Sequence, residues 1–381
     1  MTGTLKDLMT ERADAASPPR VDFDAIIRTG DSRVRRRRVA AGVATAAVAA
    51  VVAVGVPVVV DHSSSQPNGP VQPAAGKYVD PQTTYAIGSV FHYGDQLVDV
   101  SPHKVATFVQ TDDGFVFTDA SGAIFFTSGG EAEQIGFSGQ PYGRQLAADD
   151  SGSYVGWVDT SARPAAEFVV YDTSSRSELV RTSEGNLTAD ERTAEFDLPM
   201  IGAIDGESAY WHSSAGITAW GLRSDTGQLL APDANYQWLQ DVAAGQLAKM
   251  SGDGQQTSGD RQGVVVSADP AAFAPVFDGW FANLSPNAES LYTDAADEVK
   301  VFDVQTGDDR TPDHAGYPFI ALSQWLDEDR FVAVGIKAGN QESDPLDLLT
   351  CSISSEECTV TVPEVGRVND LTLPIGEGLG D

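Results

Sequence analysis

The sequence predicts an all-β protein, a β-propeller, preceded by a single transmembrane α-helix. Three observations predict this fold class. A charge-free apolar run lies near the N-terminus, short apolar segments alternate with Gly, Asp, Ser and Asn through the rest of the chain, and those segments recur at a nearly constant spacing. Together they divide the 381 residues into a basic head (1–38), a membrane helix (39–60), a linker (61–76) and a propeller domain (77–381).

Residues 1–38 form the predicted cytoplasmic head. Two small apolar groups flank Pro18 and Pro19, and neither group is large enough to bury a core of its own. We expect a largely disordered head whose arginines fix the topology of the chain. The alternative is a docking peptide for a cytosolic partner, which would become ordered on binding.

The anchor is the apolar run from Val39 to Val60, which contains no charged residue. As a helix it would span about 33 Å, which is enough to cross a bilayer. An arginine cluster precedes it, whereas no Lys or Arg follows it before Lys77. The positive-inside rule therefore places the N-terminus in the cytoplasm and the C-terminal domain outside the cell. The topology-determining residues are Arg33, Arg35, Arg36, Arg37 and Arg38.

A cleaved signal peptide is the main alternative to this signal-anchor. The region before the apolar run is long for a signal peptide, the run exceeds the usual apolar core, and no Ala-x-Ala pattern lies between Val56 and Ser65. The residue pattern that surrounds a twin-arginine export signal is also absent. After the helix, residues 61–76 are rich in Ser, Pro, Gln and Gly, which is typical of a flexible spacer.

Charge limits the partners of the outer domain. Residues 1–60 hold nine Lys/Arg and six Asp/Glu, so the remainder of the chain carries about −34. A surface this negative repels phosphate backbones, which excludes nucleic acid as an expected partner. The charge keeps an exposed domain soluble, and cations or basic surfaces stay open as ligands.

The apolar segments beyond Lys77 recur as units of four short strands. Residues 105–136 and 144–182 each contain four strand-like segments separated by polar turns, and further units follow. Units of about 45 residues with four strands are what propeller blades require. The equivalent strand-end residues of six units are Phe126, Tyr171, Trp220, Val266, Phe302 and Cys351.

Two segments are left over at the ends of the propeller region, 85–100 and 367–374. We expect them to combine into a closing blade, because such pairing removes exposed sheet edges. The prediction is seven blades, with six as the alternative.

The arginine cluster, the Ala/Val-rich anchor and the blade turns YDTSS and FDVQTG resemble those of actinobacterial single-pass, membrane-anchored WD-repeat-like propeller proteins. The resemblance covers the whole layout of the chain. It implies a binding or scaffolding role. It carries over no functional residue, because the Trp-Asp and Gly-His signatures of true WD repeats are absent.

The two cysteines, Cys351 and Cys358, lie on two predicted adjacent strands joined by the turn SISSEE. Across such a hairpin their Cα atoms can come within disulfide range, and an oxidising exterior favours the bond. A zinc site would need further Cys or His ligands, and the C-x-x-C redox spacing is absent.

A search for catalytic or ligand-binding motifs assigns no catalytic, cofactor-binding or metal residue, and we predict no cofactor. The five histidines show no metal-ligand spacing, and no nucleophile elbow, P-loop or dinucleotide fingerprint occurs. The acidic pairs Asp112/Asp113, Asp149/Asp150 and Asp308/Asp309 are attributed to turns, and the D-x-[DN]-x-[DN]-G series of an EF-hand calcium loop is absent. Five tryptophans are weighed as binding residues but expected in inter-blade cores: Trp157, Trp211, Trp238, Trp280 and Trp325.

The predicted function is therefore a non-enzymatic binding or scaffolding module at the cell surface, with a protein or cell-wall ligand. One alternative is a signalling protein that couples the outer domain to a cytosolic partner of residues 1–38. A second alternative is an exported glycan-active enzyme, which would need two carboxylates that converge in the central funnel.

Overall fold

The computed structural model describes residues 78–79, 81–139, 144–149, 152–161, 164–186, 199–213, 215–232, 239–251, 263–270, 272, 276–279, 281–295, 298–337 and 344–376. All of them belong to one structural unit, residues 67–381. The predicted head, its topology-determining arginines, the transmembrane helix at 39–60 and the linker lie outside the described residues. Within the described part of the chain, no helix has the length and apolar character needed to cross a membrane.

The described residues form 27 strands. In chain order they are β1 (Thr84–Ile87), β2 (Val90–Tyr93), β3 (Gln96–Asp99), β4 (Thr107–Thr111), β5 (Gly114–Thr118), β6 (Ala123–Thr127), β7 (Glu133–Phe137), β8 (Leu146–Ala148), β9 (Tyr154–Asp159), β10 (Glu167–Asp172), β11 (Ser177–Thr182), β12 (Met200–Asp205), β13 (Ser208–Ser213), β14 (Gly216–Gly221), β15 (Thr226–Pro232), β16 (Leu239–Ala243), β17 (Gln246–Ser251), β18 (Gly263–Ser267), β19 (Val276–Asp278), β20 (Phe281–Leu284), β21 (Ser290–Ala295), β22 (Glu298–Asp303), β23 (Phe319–Trp325), β24 (Arg330–Ile336), β25 (Leu346–Ser352), β26 (Glu357–Gly366) and β27 (Leu371–Thr372).

These strands pair into seven antiparallel sheets, which are the blades of a propeller. From the inner to the outer strand, blade 1 contains β4 to β7, blade 2 β8 to β11, blade 3 β12 to β15, blade 4 β16 to β19, blade 5 β20 to β22 and blade 6 β23 to β26. Blade 7 has the order β27, β1, β2, β3. The inner strands of successive blades lie side by side, from β4 through β8, β12 and β16 to β20. The prediction of seven blades is confirmed, and the alternative of six is wrong.

Blade 7 joins the two ends of the propeller region. Strand β27 pairs with β1 through Thr372 opposite Ala86 and Leu371 opposite Ile87. The two leftover segments of the sequence therefore do combine into one blade. This pairing covers the edge that β1 would otherwise expose.

Seven apolar cores lie between consecutive blades and run around the whole ring. Blades 7 and 1 share a core in which Phe91 stacks on Phe115 at 4.6 Å between ring centroids. Blades 2 and 3 share one in which Phe168 stacks on Trp211 at 4.3 Å. The core between blades 6 and 7 contains Leu371 from the closing strand. Each sheet is thus buried on both faces.

The repeat inferred from the sequence is also confirmed. Each of the six equivalent residues is the penultimate residue of the third strand of its blade, from blade 1 to blade 6. The signal arises because this position is apolar or aromatic and is followed by a tight polar turn. In blade 5 that turn is built by Asp303, whose side chain accepts the Gln305 and Thr306 N–H groups, and by Gly307, which has φ +75°.

The predicted disulfide is present. Cys351 on β25 faces Cys358 on β26, and their Cα atoms are 4.0 Å apart. Both side chains are buried in the core between blades 5 and 6. The bond ties the outer strand of blade 6 to its neighbour.

Blade 5 has three strands among the described residues, and the connection that follows β22 takes the place of a fourth. Asp309 forms an antiparallel bridge with Phe302, and further along Asp313 forms a parallel bridge with Glu357 on β26. The Asp313 carbonyl accepts the Cys358 N–H at 2.9 Å. This connection therefore links the outer edges of blades 5 and 6.

Replacing Trp211 by alanine tests the inter-blade cores. Trp211 is fully buried and stacks on Phe168, so Trp211→Ala should lower the free energy of unfolding by about 3 to 5 kcal/mol through lost burial and a residual cavity. Urea unfolding followed by tryptophan fluorescence and circular dichroism measures the change. Leu179→Ala is the control, because Leu179 on the outer strand β11 is 39% exposed, and its cost should stay within about 0.5 kcal/mol. Equal losses in both variants would contradict the assignment.

Candidate functional site

The tryptophans weighed as binding residues belong to the cores wherever the structure describes them. Trp157 and Trp211 are fully buried, and Trp325 packs against Phe331 with ring centroids 5.2 Å apart. The Trp157 ring lies over Gly136, where a Cβ atom would approach it to 2.5 Å. Trp238 and Trp280 lie outside the described residues. All three described tryptophans therefore stabilise the inter-blade cores, Trp157 and Trp211 from buried positions and Trp325 from a partly buried one.

The acidic pairs predicted to be turn residues are distributed over separate turns. Asp113 lies between β4 and β5, and its carboxylate accepts hydrogen bonds from Ser153 and Thr173 of blade 2. Asp309 follows blade 5, where its carboxylate accepts the Thr311 N–H and hydroxyl. The turn interpretation is confirmed for both residues. Asp150 lies outside the described residues.

Many of the described acidic side chains lie at one end of the propeller. Because neighbouring strands in each blade are antiparallel, the turns between first and second strands and between third and fourth strands lie at the same end of every sheet. We call this end the acidic face. Leaving aside strand residues and the connection after β22, the described carboxylates of these turns belong to Asp95, Asp112, Asp113, Glu131, Asp149, Glu207, Asp225, Asp269, Glu289, Asp327, Glu328, Asp329 and Glu356.

Positive charge is sparse on the acidic face. In the described parts of its turns the basic side chains are Arg176 and Arg223. Arg223 pairs with Glu207 at 2.6 Å, and the Arg176 guanidinium lies 5.6 Å from the centroid of the Phe126 ring. Both cations are therefore engaged within the face.

The opposite end of the propeller is more balanced. Leaving aside the long connection between blades 5 and 6, its described connections carry basic and acidic residues in similar proportion. The basic residues are His103, Lys104, Arg144, Lys337 and Arg367, and the acidic residues are Asp119, Glu184, Asp344 and Asp370. Among the described residues, the charge therefore differs between the two ends of the propeller.

Arg144 lies at this opposite end, just before β8, and its side chain contacts blades 3 and 4. Its guanidinium donates to the carbonyl of Gly202 in blade 3 and, at 3.0 Å, to that of Gln240 in blade 4. Both acceptors are bulge residues, since the strand register shifts between Ile201 and Ala203 and between Leu239 and Asp241. A bulge leaves its extra residue outside the regular ladder, which makes the two carbonyls available to Arg144.

Two partly buried carboxylates add further hydrogen bonds between neighbouring blades. Asp205 at the end of β12 accepts the Gly245 N–H of blade 4 at 2.9 Å. Asp241 on β16 accepts the Leu284 N–H of blade 5 at 2.7 Å. Each carboxylate therefore ties its own blade to the next one.

The environment of Asp241 sets its protonation. Burial raises the pKa of the Asp241 carboxyl above its ordinary value, and the negative charge of Asp205 acts in the same direction. The Arg144 guanidinium and the two backbone N–H donors oppose that rise. Asp205 and Asp241 thus interact electrostatically, but both serve as acceptors for backbone groups of a neighbouring blade.

Neutral groups on inner and second strands tie blades 5, 6, 7 and 1 to one another. The Tyr292 hydroxyl accepts the Leu322 N–H of blade 6 at 2.9 Å, and the Gln324 side chain accepts the Thr84 N–H of blade 7 at 3.0 Å. The Thr84 hydroxyl then donates to Gln110 of blade 1 at 2.8 Å. We call this series, from Arg144 to Gln110, the inner polar ring. Sequence reasoning missed it, because each tie joins residues that are far apart in the chain.

The described histidines lie in separate environments. His92 stacks on Tyr85 at 4.4 Å, and His103 contacts Phe125 at 4.1 Å. Burial lowers the pKa of His92 and also that of His314. Among the residues that the structure describes, no group of three or more His, Cys, Asp or Glu side chains could hold a metal ion.

No protein-family model matches the chain, and no curated protein matches it by sequence. Solved structures do resemble it. A chain in the crystal structure of the mitotic checkpoint complex is 12% identical over 83% of this chain and 91% of that one, with a TM-score of 0.46. The designed protein Ika8 is 15% identical over 75% and 89%, with 0.43. BamB from Moraxella catarrhalis is 12% identical over 67% and 76%, with 0.38. Matches at this level assign neither a family nor a function.

The titration of Asp241 gives a test of the inner polar ring. With its folded-state pKa raised, the folded protein holds this proton above about pH 4, so the group's contribution to stability is lost as the pH rises toward the folded-state pKa. Asparagine does not titrate. The difference in unfolding free energy between Asp241→Asn and the wild type should therefore shift in favour of the variant as the pH rises above about pH 4.

Urea unfolding at a series of pH values measures this difference. Asp95→Asn is the matched control, because Asp95 is exposed in the turn between β2 and β3, and its difference from the wild type should stay small throughout. A difference for Asp241→Asn that is constant, or that shifts against the variant, would show that Arg144 and the N–H donors outweigh burial.

Proposed function

We propose that this protein is a non-enzymatic binding or scaffolding module, anchored in the cell membrane by residues 39–60 and displayed outside the cell. The observation that carries the binding role is the acidic face, a surface of turns held on a closed ring. Rigid scaffolds that present loops in this way are suited to recognition. The partner that this surface fits is a protein or wall component with a basic surface.

The turns of the acidic face are ordered before any partner arrives. Asp172 accepts hydrogen bonds from the N–H groups and hydroxyls of Ser174 and Ser175. Asp329 likewise accepts the Ser354 N–H at 2.7 Å and the Ser352 hydroxyl at 2.8 Å. Preformed turns cost less conformational entropy on binding than loops that must become ordered. Burial acts to raise the pKa of both carboxyls, but these hydrogen bonds together outweigh it, so the pKa of each is lowered and the carboxylates stay charged.

The membrane anchor is supported by the length and composition of the apolar run and by the arginine asymmetry around it. The same asymmetry supports a cytoplasmic head, whose two small apolar groups would serve a cytosolic partner if the protein also signals. The acidic propeller then meets only extracellular ligands.

Charge reversal on the acidic face tests the binding role. Glu131, Glu328 and Glu356 are exposed there, and replacing all three by lysine should reduce cross-linking to the physiological partner at least tenfold because it removes complementary charge. The control replaces Glu184, Glu364 and Asp370, which are exposed toward the opposite end, and changes the net charge equally. The measurement is chemical cross-linking of the full-length chain on intact cells, quantified by mass spectrometry. Equal effects of the two triple variants, or none, would overturn the assignment of this face.

Cysteine labelling tests the proposed topology. The introduced thiol of Ser64→Cys should react with a membrane-impermeant maleimide on intact cells, whereas that of Ser17→Cys should react only after permeabilisation, because the two residues lie on opposite sides of the 39–60 run. Reaction of both thiols on intact cells, or release of the protein into the medium, would contradict an uncleaved anchor. This experiment is independent of partner binding.

A further inference from the structure

The connection between blades 5 and 6 is a separate segment that is held by a small number of hydrogen bonds. We call residues 309–317 the strap. At its start the Arg310 N–H donates to the Val301 carbonyl at 2.7 Å, and the Thr311 hydroxyl accepts the Val301 N–H at 2.9 Å. Further along, Asp313 pairs with the first residues of β26. The strap therefore occupies the place of an outer strand of blade 5 and ends on the outer strand of blade 6.

Much of the strap faces solvent. Pro312 is buried, and the Tyr317 hydroxyl donates to the buried carboxylate of Asp347. The exposed residues of the strap are Asp309, Arg310, Asp313, Ala315 and Gly316. Segments with few buried side chains open locally at a cost well below that of global unfolding. The strap is therefore a part of the ring that can detach by itself.

The strands on either side have other contacts that hold them when the strap detaches. Strand β22 pairs with β21 through six residue pairs. The disulfide between Cys351 and Cys358 holds β26 on β25. Detachment would therefore stay local, and it would leave the N–H and carbonyl of Val301 at an open sheet edge. An open edge of this kind can pair with an extended segment.

His314 lies on the strap, directly after the residue that pairs with β26. Its Nε2 atom is buried and has no hydrogen-bond partner among the residues that the structure describes. A neutral imidazole places one uncharged polar atom at this position, whereas an imidazolium places an unpaired N–H that carries positive charge. Burying an unpaired charged donor costs more than burying an uncharged polar atom. The docked strap therefore disfavours the protonated form of His314.

The groups around the strap determine at which pH this matters. Burial lowers the pKa of His314, and the negative charge of Asp313 opposes that effect without cancelling it. Burial acts to raise the pKa of Asp309 and Asp347, but their hydrogen bonds outweigh it, so both stay charged near neutral pH. Burial and the bond to Asp347 raise the pKa of Tyr317 to about 12. The other charged residues around the strap are Lys300, Arg310, Lys337, Glu356 and Glu357.

We propose that the strap is a pH-sensitive device, in which protonation of His314 detaches residues 309–317 from β22 and β26 and opens the edge of blade 5. Once the strap is detached, water solvates the imidazolium, so proton binding and detachment favour each other. The proposal depends neither on the acidic face nor on the membrane anchor.

The direction of the pH dependence follows from the lowered pKa of His314 in the docked strap. An imidazole in the detached strap titrates near its ordinary value of about 6.5. The contribution to docking is therefore complete above about pH 6.5 and is lost as the pH falls toward the pKa of the docked form. Because a single proton is involved, the detached fraction should rise by at most about tenfold between pH 7.5 and pH 5.5.

Hydrogen exchange of the full-length chain, followed by mass spectrometry, measures detachment of the strap. The Arg310 and Cys358 N–H groups bond between the strap and its neighbours, so their protection, corrected for intrinsic exchange, should fall about threefold to tenfold from pH 7.5 to pH 5.5. In His314→Phe, whose ring does not titrate, protection should be the same at both pH values. His103→Phe is the matched control, because His103 lies against Phe125 at the opposite end, and it should keep the wild-type pH dependence.

The N–H groups of β24 serve as an internal reference, because that strand is paired on both sides and its protection should not change between the two pH values. If His314→Phe loosens the strap already at pH 7.5, His314→Asn provides a second side chain that does not titrate, and its protection should likewise be independent of pH. The proposal is overturned if the wild-type strap keeps full protection at pH 5.5, if β24 loses protection together with the strap, or if the His314 variants retain the wild-type pH dependence.

Discussion

The pairing of β27 with β1 is the contact on which the rest of this propeller depends. Each of the seven cores lies between two blades, so every blade needs a neighbour on both sides. The inner strand of blade 7 comes from the C-terminal part of the propeller region, and its other three strands come from the N-terminal part. If that inner strand and the residue after it left, the core between blades 6 and 7 would lose Leu371 and Leu373, and β1 would expose an edge. Closure therefore couples the stability of all blades.

Apolar packing is not directional, so the cores alone would only weakly fix the position of each blade along the propeller axis relative to its neighbour. Hydrogen bonds are directional, and the inner polar ring supplies them. Asp205, Asp241 and Gln324 each bond a backbone N–H of the following blade at 2.7 to 3.0 Å. A shift of one blade along the axis would leave these acceptors and donors unpaired in a partly buried region, at a cost of about 1 to 3 kcal/mol each. The ring thereby fixes where the turns of each blade lie.

The parts of the fold that could be predicted from the sequence are those with a local signal. The third strand of each blade ends in an apolar or aromatic residue before a tight turn, as at Phe126 and Tyr171, and the disulfide joins adjacent strands of one hairpin. The inner strands β12 and β16 carry a weaker local signal, because bulges at Gly202 and Gln240 interrupt their alternation. The inner polar ring was missed for a different reason. Arg144 and Gln240 are 96 residues apart, and only the closed ring brings them together.

The acidic face follows from the same repetition. A single tight turn favours Asp for local reasons, since its carboxylate accepts nearby backbone N–H groups, as Asp303 does. The blades place such turns at the same end of the propeller, so their carboxylates together create a negative electrostatic potential over that surface. Repulsion among these carboxylates opposes the folded state, and salt or a basic partner would relieve it. A ligand that binds only the folded protein stabilises it, so the basic partner proposed for this face would also stabilise the ring.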